Sequence, residues 1–196
     1  MVKHQSAASR TVPFEDYFLG EETNDIRHEW HDGVVYAMSR GSPRHGRLVG
    51  QLGRLLGNAL EPRCVLYTAD TPIWIDAASL CTYADASFVC GPLRTMVARN
   101  KQGQSLGEAI TNPTIIVEVL SPATERYDRD GKFAAYRCLP SFDEYVLVSQ
   151  DEPRIEVFRR PVDPESPWIS ESVGSGGGGE VVMHGAVLSV AAIYSA

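Results

Sequence analysis

The sequence predicts a single α/β domain with a mixed β-sheet, few helices and a β-rich C-terminal half. The chain has 196 residues, enough for one substantial core but short for two domains. Its composition, 43% apolar and 22% charged, is that of an ordinary soluble globular protein. Strand-like alternation recurs along the chain, whereas helical periodicity is confined to a few segments. We expect one domain over residues 13–196, preceded by a flexible polar N-terminus over residues 1–12.

A short helix and a hairpin are predicted first. Residues 13–20 indicate the helix, which a glycine ends. Residues 27–39 indicate the hairpin, because Asp32-Gly33 is one of the strongest two-residue turn signals. Closing the hairpin there would put Glu29 opposite Tyr36.

A long amphipathic helix follows the hairpin. Ser42 is a suitable N-cap, Pro43 suits the first helical position, and Pro62 stops the helix. The residues on its inward face recur at helical spacing: His45, Leu48, Leu52, Leu55, Leu56 and Ala59.

The middle of the chain reads as short strands. These are predicted at residues 64–68, 72–75 and 83–89. Residues 91–113 are polar and contain glycine, and we expect a mobile excursion rather than core. The apolar run over residues 114–120 is typical of a strand buried on both faces.

The C-terminal half is predicted to hold one helix and several strands. The helix begins near Asp128 and ends near Leu139. An apolar tail over residues 187–194 should pack back on the body, and Gly176–Gly179 should form a flexible loop. The strands are expected at residues 144–149, 154–159, 168–173 and 180–183.

Charge and cysteine content narrow the function classes. The formal charge of −7 does not suit a protein that grips DNA by charge alone, so a nucleic-acid role needs a local basic surface or a metal at an acidic centre. The four cysteines show no CxxC spacing, and we therefore expect neither a zinc site nor a disulfide framework. No apolar run is long enough to cross a membrane and no signal peptide is evident, so the expected location is the cytoplasm.

Two acidic residues in strand-like segments point to chemistry. Glu118 interrupts the buried run over residues 114–120 and shares a face with Ile116 and Leu120. A carboxylate there is costly unless it is paired or binds an ion. If adjacent strands bring Asp85 to the same point, the two carboxylates, a backbone carbonyl and waters would suit Mg²⁺. Lys132, on the following helix, would add positive charge.

Simpler explanations exist for each of these residues. Glu118 could pair with Lys132 or Arg126 and do nothing else, and Asp85 could be a turn or edge residue. His45 could be a packing residue. Glu29 could bond across the hairpin. Arg126 and Arg129 are best explained as solvated charges, with phosphate contact as the alternative.

The order of motifs resembles the Uma-type family of putative restriction endonucleases, which is assigned to the PD-(D/E)XK nuclease superfamily. The resemblance covers roughly residues 14–194. The motifs that carry it are Glu29-Trp30-His31-Asp32-Gly33, Met38-Ser39, Ser42-Pro43-Arg44-His45, Ala84-Asp85, Val117-Glu118-Val119-Leu120-Ser121-Pro122, Asp128-Arg129 with Lys132 and Tyr136, and Glu144-Tyr145-Val146-Leu147-Val148.

The resemblance implies a restriction-endonuclease-like fold, a mixed β-sheet flanked by helices, and a metal-dependent endonuclease acting on nucleic acid, with DNA favoured. Asp85 matches the metal-binding aspartate of the superfamily and Glu118 its second acid. Glu29 matches an additional acidic metal ligand, and His45 matches a position near the site. The implied cofactor is Mg²⁺ or Mn²⁺.

Two positions depart from the family pattern. Ala84 stands where a proline usually precedes the aspartate. Leu120 stands where the superfamily has its lysine, two residues after the second acid, and Lys132 is the expected substitute.

Other functions stay open. A nuclease fold that no longer cuts, and serves as an interaction or nucleic-acid-binding module, would fit the acidic charge and the missing strand lysine. A two-carboxylate glycosidase fits less well, since few exposed aromatic residues are expected near the acids. Exposed sheet edges in the C-terminal half favour a homodimer.

Overall fold

The structure is a computed structural model that describes residues 11–174 and 179–195. The predicted flexible segment over residues 1–12 therefore lies outside the described residues except for its last two, and Val12 donates a backbone hydrogen bond to Gly33. Most of the predicted Gly176–Gly179 loop also lies outside them. No helix in the described ranges is both long enough and apolar enough to cross a membrane.

The described chain alternates strands with a few helices. The helices are α1 (Phe14–Glu21), α2 (Pro43–Ala59), α3 (Glu125–Tyr127), α4 (Phe133–Tyr136) and α5 (Val190–Tyr194), and a π-helical turn over Asp128–Lys132 joins α3 to α4. The strands are β1 (His28–His31), β2 (Val34–Ala37), β3 (Cys64–Thr68), β4 (Ile73–Ile75), β5 (Leu80–Thr82), β6 (Ala86–Cys90), β7 (Thr95–Arg99), β8 (Ser105–Ile110), β9 (Ile115–Val119), β10 (Glu144–Val148), β11 (Arg154–Arg159), β12 (Ile169–Gly174), β13 (Glu180–Met183) and β14 (Ala186–Ser189).

The strands form two six-stranded mixed sheets and a separate hairpin. The first sheet has the order β2-β1-β5-β4-β8-β7, and the second has the order β12-β11-β10-β9-β6-β3. Each contains one parallel pair, β4 with β8 and β9 with β10. The hairpin β13–β14 forms a two-stranded sheet whose strands pair with neither of the larger sheets. The predicted α/β fold with mixed pairing and few helices is confirmed.

Several predicted elements occur as expected. The hairpin turns at Asp32-Gly33, with Glu29 opposite Tyr36. Ser42 caps α2 by accepting a hydrogen bond from the backbone N–H of His45, and Pro43 is the first helical residue. Every residue of β9 is buried.

The region over residues 91–113 differs from its prediction. It forms the paired strands β7 and β8, and β8 joins the first sheet beside β4. The polar and glycine-rich sequence concealed these strands because neither shows a regular alternation of buried and exposed residues.

Two hydrophobic clusters cover the faces of the second sheet. On one face, α2, α5 and the β13–β14 hairpin pack on Ile115, Val117 and Val119 of β9. On the other face, the α3–α4 segment and β4 pack on Ile116 and Leu120. Alternation along β9 therefore turns Glu118 toward the second cluster, where α4 and the first sheet meet it.

Candidate active site

The candidate site lies where the chain crosses from the first sheet to the second. Strand β5 ends at Thr82 in the first sheet, and β6 begins at Ala86 in the second. Asp85 is the last residue of the connection. The predicted strand over residues 83–89 is therefore wrong at its start, because the chain changes sheets there. The crossover places Asp85 beside Glu118 of the neighbouring strand β9.

Asp85 and Glu118 interlock through each other's backbone. The carboxylate Oδ2 of Asp85 accepts a hydrogen bond of 2.7 Å from the N–H of Val119, the residue after Glu118. In return, the N–H of Asp85 donates to Oε2 of Glu118 at 3.3 Å. These two bonds place Asp85 beside Glu118. That the two carboxylates meet at one metal ion stays a prediction.

Lys132 enters this point from the helical segment. Its side chain is buried, and its Nζ lies 3.1 Å from Oε1 of Glu118 and 3.2 Å from Oε1 of Glu29. The same ammonium donates to the backbone carbonyl of Tyr83 at 3.0 Å, which fixes the crossover. Asp128 lies 3.7 Å away on the preceding helical turn. Lys132 thus faces the sheet, as its predicted role requires.

The π-helical turn and α4, which follows it, bring Lys132 and Tyr136 into contact with Glu118. Such turns insert one extra residue and are frequent at functional sites. Here it separates α3 from α4, and Tyr136 on α4 donates a 3.0 Å hydrogen bond to the same Oε1 of Glu118. Tyr145 anchors the turn by donating to the carbonyl of Asp128. The helical stretch therefore runs over residues 125–136, so the predicted helix over residues 128–139 was three residues too late at each end and lacked the π-helical turn.

Glu29 lies on the far side of Lys132. It is buried, accepts a hydrogen bond from Thr82 and pairs with the lysine. Its oxygens do not form a compact ligand set with those of Asp85 and Glu118. In the part of the chain that the structure describes, the group of three side chains whose possible ligand atoms lie within 4.8 Å of one another is elsewhere. Its cross-strand neighbour Tyr36 is not its ion-pair partner; Lys132 is. The predicted metal-ligand role of Glu29 stays a prediction.

His45 reaches the site from the first turn of α2. Its Nε2 lies 3.0 Å from Oδ2 of Asp85, so the imidazole contacts the aspartate and is not a plain packing residue. Gln150 locks this helix end, since it pairs with the Ser42 hydroxyl and donates to the carbonyl of Leu120. The hydrogen bond to Asp85 is the main cause that raises the pKa of His45, and burial opposes it.

Buried acidic side chains outnumber buried basic ones in this cluster. Burial raises the pKa of Glu118 to about 8, and the nearby Asp85 and Asp128 add to this, while Lys132 opposes it. Burial also raises the pKa of Asp128. Burial by itself would lower the pKa of Lys132, but Glu118, Glu29 and Asp128 outweigh it and raise the value well above the ordinary one. Lys132 is therefore positively charged near neutral pH, and Glu118, Glu29 and Asp128 share this one positive charge.

The donor chemistry at Asp85 and Glu118 fits a hard divalent cation. Both hydrogen bonds to the Asp85 carboxylate from the described chain end on Oδ2, which leaves Oδ1 for a ligand. Among the described residues, Oε2 of Glu118 accepts only the long bond from Asp85, whereas Oε1 accepts hydrogen bonds from Lys132 and Tyr136. Oxygen donors of this kind suit Mg²⁺ or Mn²⁺, which keep several waters. The surplus of acidic side chains over basic ones favours such a cation further.

Gly41 controls the position of the imidazole. A Cβ at residue 41 would lie 2.7 Å from Nδ1 of His45, closer than real contacts allow. We expect Gly41→Ala to push the ring away from Asp85 and to lower the pKa of His45 toward its ordinary value, because the bond to Asp85 is what raises it. NMR titration of the imidazole measures this shift. Gly50→Ala on the same helix has open space around it and is the matched control. An unchanged pKa of His45 in Gly41→Ala would show that the ring does not depend on this packing.

The remaining sequence candidates have ordinary roles. Leu120 is buried in the apolar cluster, so the lysine position of the superfamily is structurally apolar here. Arg129 forms a two-pronged ion pair with Glu156 and a second pair with Glu125. Arg126 is almost fully exposed, which agrees with a solvated charge.

Sequence reasoning missed Asp128 as a member of the cluster. It was predicted to cap a helix, whereas it is buried beside Lys132. The four-residue spacing between Asp128 and Lys132 was a usable signal, because it puts both side chains on one helical face. The Tyr83 carbonyl and the Thr82 hydroxyl gave no signal, since they join the site only through the crossover.

Known proteins resemble this chain over most of its length. Residues 14–188 match the Uma2 family, whose description is "Putative restriction endonuclease". An uncharacterized protein of Synechocystis, slr1290, is 34% identical over 169 residues, which are 83% of this chain and 83% of that protein. A second one, sll1609, is 27% identical over 83% of this chain and 88% of its own length.

A solved structure shares the fold. It is described as a putative nuclease belonging to DUF820 from Anabaena variabilis, and it aligns with a TM-score of 0.65 at 16% identity. The alignment covers 90% of this chain and 97% of that one. At this identity the likeness establishes a common architecture, which is restriction-endonuclease-like.

Proposed function

The chain belongs to the Uma2 family of putative restriction endonucleases, and on that premise we propose that it is a metal-dependent endonuclease that hydrolyses phosphodiester bonds of nucleic acid, with DNA as the favoured substrate. Membership of this family supports a nuclease-like function. The metal dependence and the choice of DNA are our inference from the geometry of the cluster around Glu118.

One observation carries the proposal: Lys132 occupies the site even though Leu120 fills the usual lysine position. Its Nζ lies 3.1 Å from Glu118, which is itself interlocked with Asp85. A buried lysine with several acid partners is more than a single ion pair needs. Metal-dependent phosphodiester hydrolysis requires acids that hold a metal ion and a basic group close to them. Asp85 and Glu118 would be these acids, and Lys132 would be the basic group.

Each side chain has a role in the proposed reaction. Asp85 and Glu118 would hold the Mg²⁺ or Mn²⁺, and the ion would polarise the scissile phosphate and lower the pKa of a bound water. Lys132 would stabilise negative charge that grows on the phosphate in the transition state. His45 would fix the Asp85 carboxylate by binding its Oδ2, so that Oδ1 stays available.

Substrate would approach from the exposed side of Asp85. The side chain of Asp85 is 20% exposed, whereas that of Glu118 is 4% exposed, so Asp85 forms the open edge of the cluster. Arg44, next to His45 on α2, is exposed and could meet the nucleic-acid backbone. Because the net charge of −7 does not favour binding to nucleic acid, positive charge must be supplied locally, and Arg44 would supply part of it.

The proposal predicts cleavage that depends on Mg²⁺ or Mn²⁺. We expect supercoiled plasmid to be nicked or linearised by the wild-type protein with either ion, and to stay intact with EDTA or with Ca²⁺, which fits the octahedral geometry less well. Parallel assays on single-stranded DNA and RNA would rank the substrates. Cleavage that continues unchanged in EDTA would contradict the proposed role of a metal.

A second function is favoured by Leu120. Without a lysine on β9, the protein could be a nuclease fold that binds nucleic acid or a partner and does not cut. Nucleic-acid binding without cleavage under every metal condition would favour this alternative.

We also propose that the protein acts as a homodimer, as enzymes that cut both strands often need two sites. Strand β3 lies at the edge of the second sheet and exposes Val65 and Leu66, which supports pairing with a second copy. Sedimentation velocity at micromolar concentration distinguishes dimer from monomer, and a monomer alone would rule out this arrangement.

A further inference from the structure

A second group of side chains meets at the opposite end of β6 from Asp85. Cys64 begins β3 and Cys90 ends β6, and the antiparallel register sets them directly opposite each other with Cα atoms 3.9 Å apart. In the structure the two sulfur atoms form a disulfide. This corrects the expectation that the cysteines form no disulfide. A separation of 26 residues gave no hint of it, because strand register alone brings them together.

His184 completes the group from the tip of the β13–β14 hairpin. One ring nitrogen of His184 and both sulfur atoms lie within 4.8 Å of one another. Within the described residues, Cys64, Cys90 and His184 are the group of three histidine, cysteine or acidic side chains whose possible metal-ligand atoms lie this close together. All three side chains are half-buried, so a small ion can reach them while bulk water is partly excluded.

The hairpin holds His184 in place at some cost. His184 has φ of 47° and Gly185 has φ of 84°, which is the pattern of a type I′ turn that favours asparagine at the first position. A histidine with positive φ is uncommon. Its N–H donates a 2.6 Å hydrogen bond to Glu144, a buried residue of β10. The backbone is therefore fixed by the second sheet, and the imidazole is presented to the cysteines.

We propose that Cys64, Cys90 and His184 form a redox-gated zinc site, in which the disulfide blocks the metal and its reduction opens the site. A dithiol reductant would supply two electrons and two protons, giving two thiols and its own disulfide. Binding of Zn²⁺ to both sulfur atoms and to the imidazole would then release the two thiol protons. This site is independent of the cluster around Glu118.

The ligand set and its spacing suit zinc. Two thiolates and an imidazole are a typical donor set for a tetrahedral zinc ion, and they make the centre neutral. Around such an ion the sulfur atoms would lie about 3.8 Å apart, given Zn–S bonds of about 2.3 Å. Side-chain rotation at two directly opposed strand positions can supply that change without moving the backbone.

The fourth coordination position would open toward a cavity. Cys90 and His184 line a cavity of about 500 Å³ together with Arg63, Arg94 and Asp143. Three protein ligands and an open position are the pattern of zinc sites that exchange a ligand. Because Arg63 and Arg94 line this cavity, the exchangeable ligand would be an anion, such as hydroxide or phosphate.

Metal titrations of the whole chain test the site without any cleavage assay. We expect the protein reduced by a dithiol to bind one more Zn²⁺ than the oxidised protein in competition with a metallochromic indicator, and to give thiolate-to-metal charge-transfer absorption with Co²⁺. The oxidised protein should give no such absorption, and any Zn²⁺ that it binds should lie at the carboxylates. The absorption is specific for sulfur ligands, so Co²⁺ bound at the carboxylates does not contribute.

Three variants separate the site from nonspecific binding. Cys90→Ser should abolish the charge-transfer absorption. His184→Asn should weaken Zn²⁺ binding at least about tenfold while suiting the turn, because asparagine is favoured at that position. Cys138→Ser removes an exposed free thiol and is the matched control, expected to bind as wild type does. Absence of the absorption in the reduced wild type, or equal Zn²⁺ affinity in wild type and His184→Asn, would overturn the proposal.

Discussion

Lys132→Met is expected both to abolish nucleic-acid cleavage and to destabilise the fold. Methionine keeps the length of the side chain but removes the ammonium that contacts Glu118, Glu29 and Asp128. Removing one partner of a buried charged group costs about 3–5 kcal/mol where the other charges stay buried and uncompensated, and less where those acids take up protons. The transition state would also lose its cation, which costs about 10²–10³-fold in turnover.

Two measurements separate the effects of Lys132→Met. Chemical denaturation gives the free energy of unfolding, and cleavage at a temperature where the variant is fully folded gives the turnover. Destabilisation should shrink as the pH falls through about 8, because Glu118, whose pKa burial raises to about 8, then takes up a proton and loses its charge. Lys101→Met, at an exposed position in the β7–β8 turn, should leave both quantities unchanged. Wild-type cleavage by a folded Lys132→Met protein would remove the lysine from the proposed mechanism.

Asp85→Asn is the second variant with a large expected effect. The amide keeps the shape of the side chain, but it provides no charge for a cation and a weaker acceptor for Val119 and His45. A bound metal contributes several kcal/mol of transition-state stabilisation, so its loss corresponds to a decrease of about 10³-fold or more in cleavage.

The stability of Asp85→Asn should change little compared with its activity. Asp85 is partly exposed, and asparagine can still accept the bond from the Val119 N–H. Asp70→Asn is the control, because Asp70 is largely exposed and lies in the connection between β3 and β4. If Asp85→Asn cleaves as fast as the Asp70→Asn control, the metal is not held at Asp85.

The local parts of the fold could be predicted from the sequence because local chemistry decides them. The Asp32-Gly33 turn, the Ser42 cap and the buried alternation of β9 each depend on residues close together in the chain. The pairing of β7 with β8 was missed because neither strand shows a regular alternation of buried and exposed residues.

The site could be predicted only where one strand or helix decided it. Alternation along β9 gave the face of Glu118, and the family resemblance named Lys132 and Tyr136, which both contact Glu118. Asp128 was misassigned because the helical segment begins three residues earlier, at Glu125, so that Asp128 lies inside it rather than at its cap. The meeting of Cys64, Cys90 and His184 depends on long-range register, which spacing along the chain does not contain.

The central claim is that Asp85 and Glu118 together bind a divalent cation. Calorimetric titration of Mn²⁺ into the wild type, Glu118→Gln and the exposed strand control Glu108→Gln tests it most directly. The pKa of about 8 for Glu118 means that binding near neutral pH must displace a proton, so affinity should increase as pH rises from about 6 to about 8.5. We predict one tight site that is retained in Glu108→Gln, lost in Glu118→Gln and coupled to proton release. Equal Mn²⁺ affinity in all three proteins, or no binding to the folded wild type at any of these pH values, would contradict the claim.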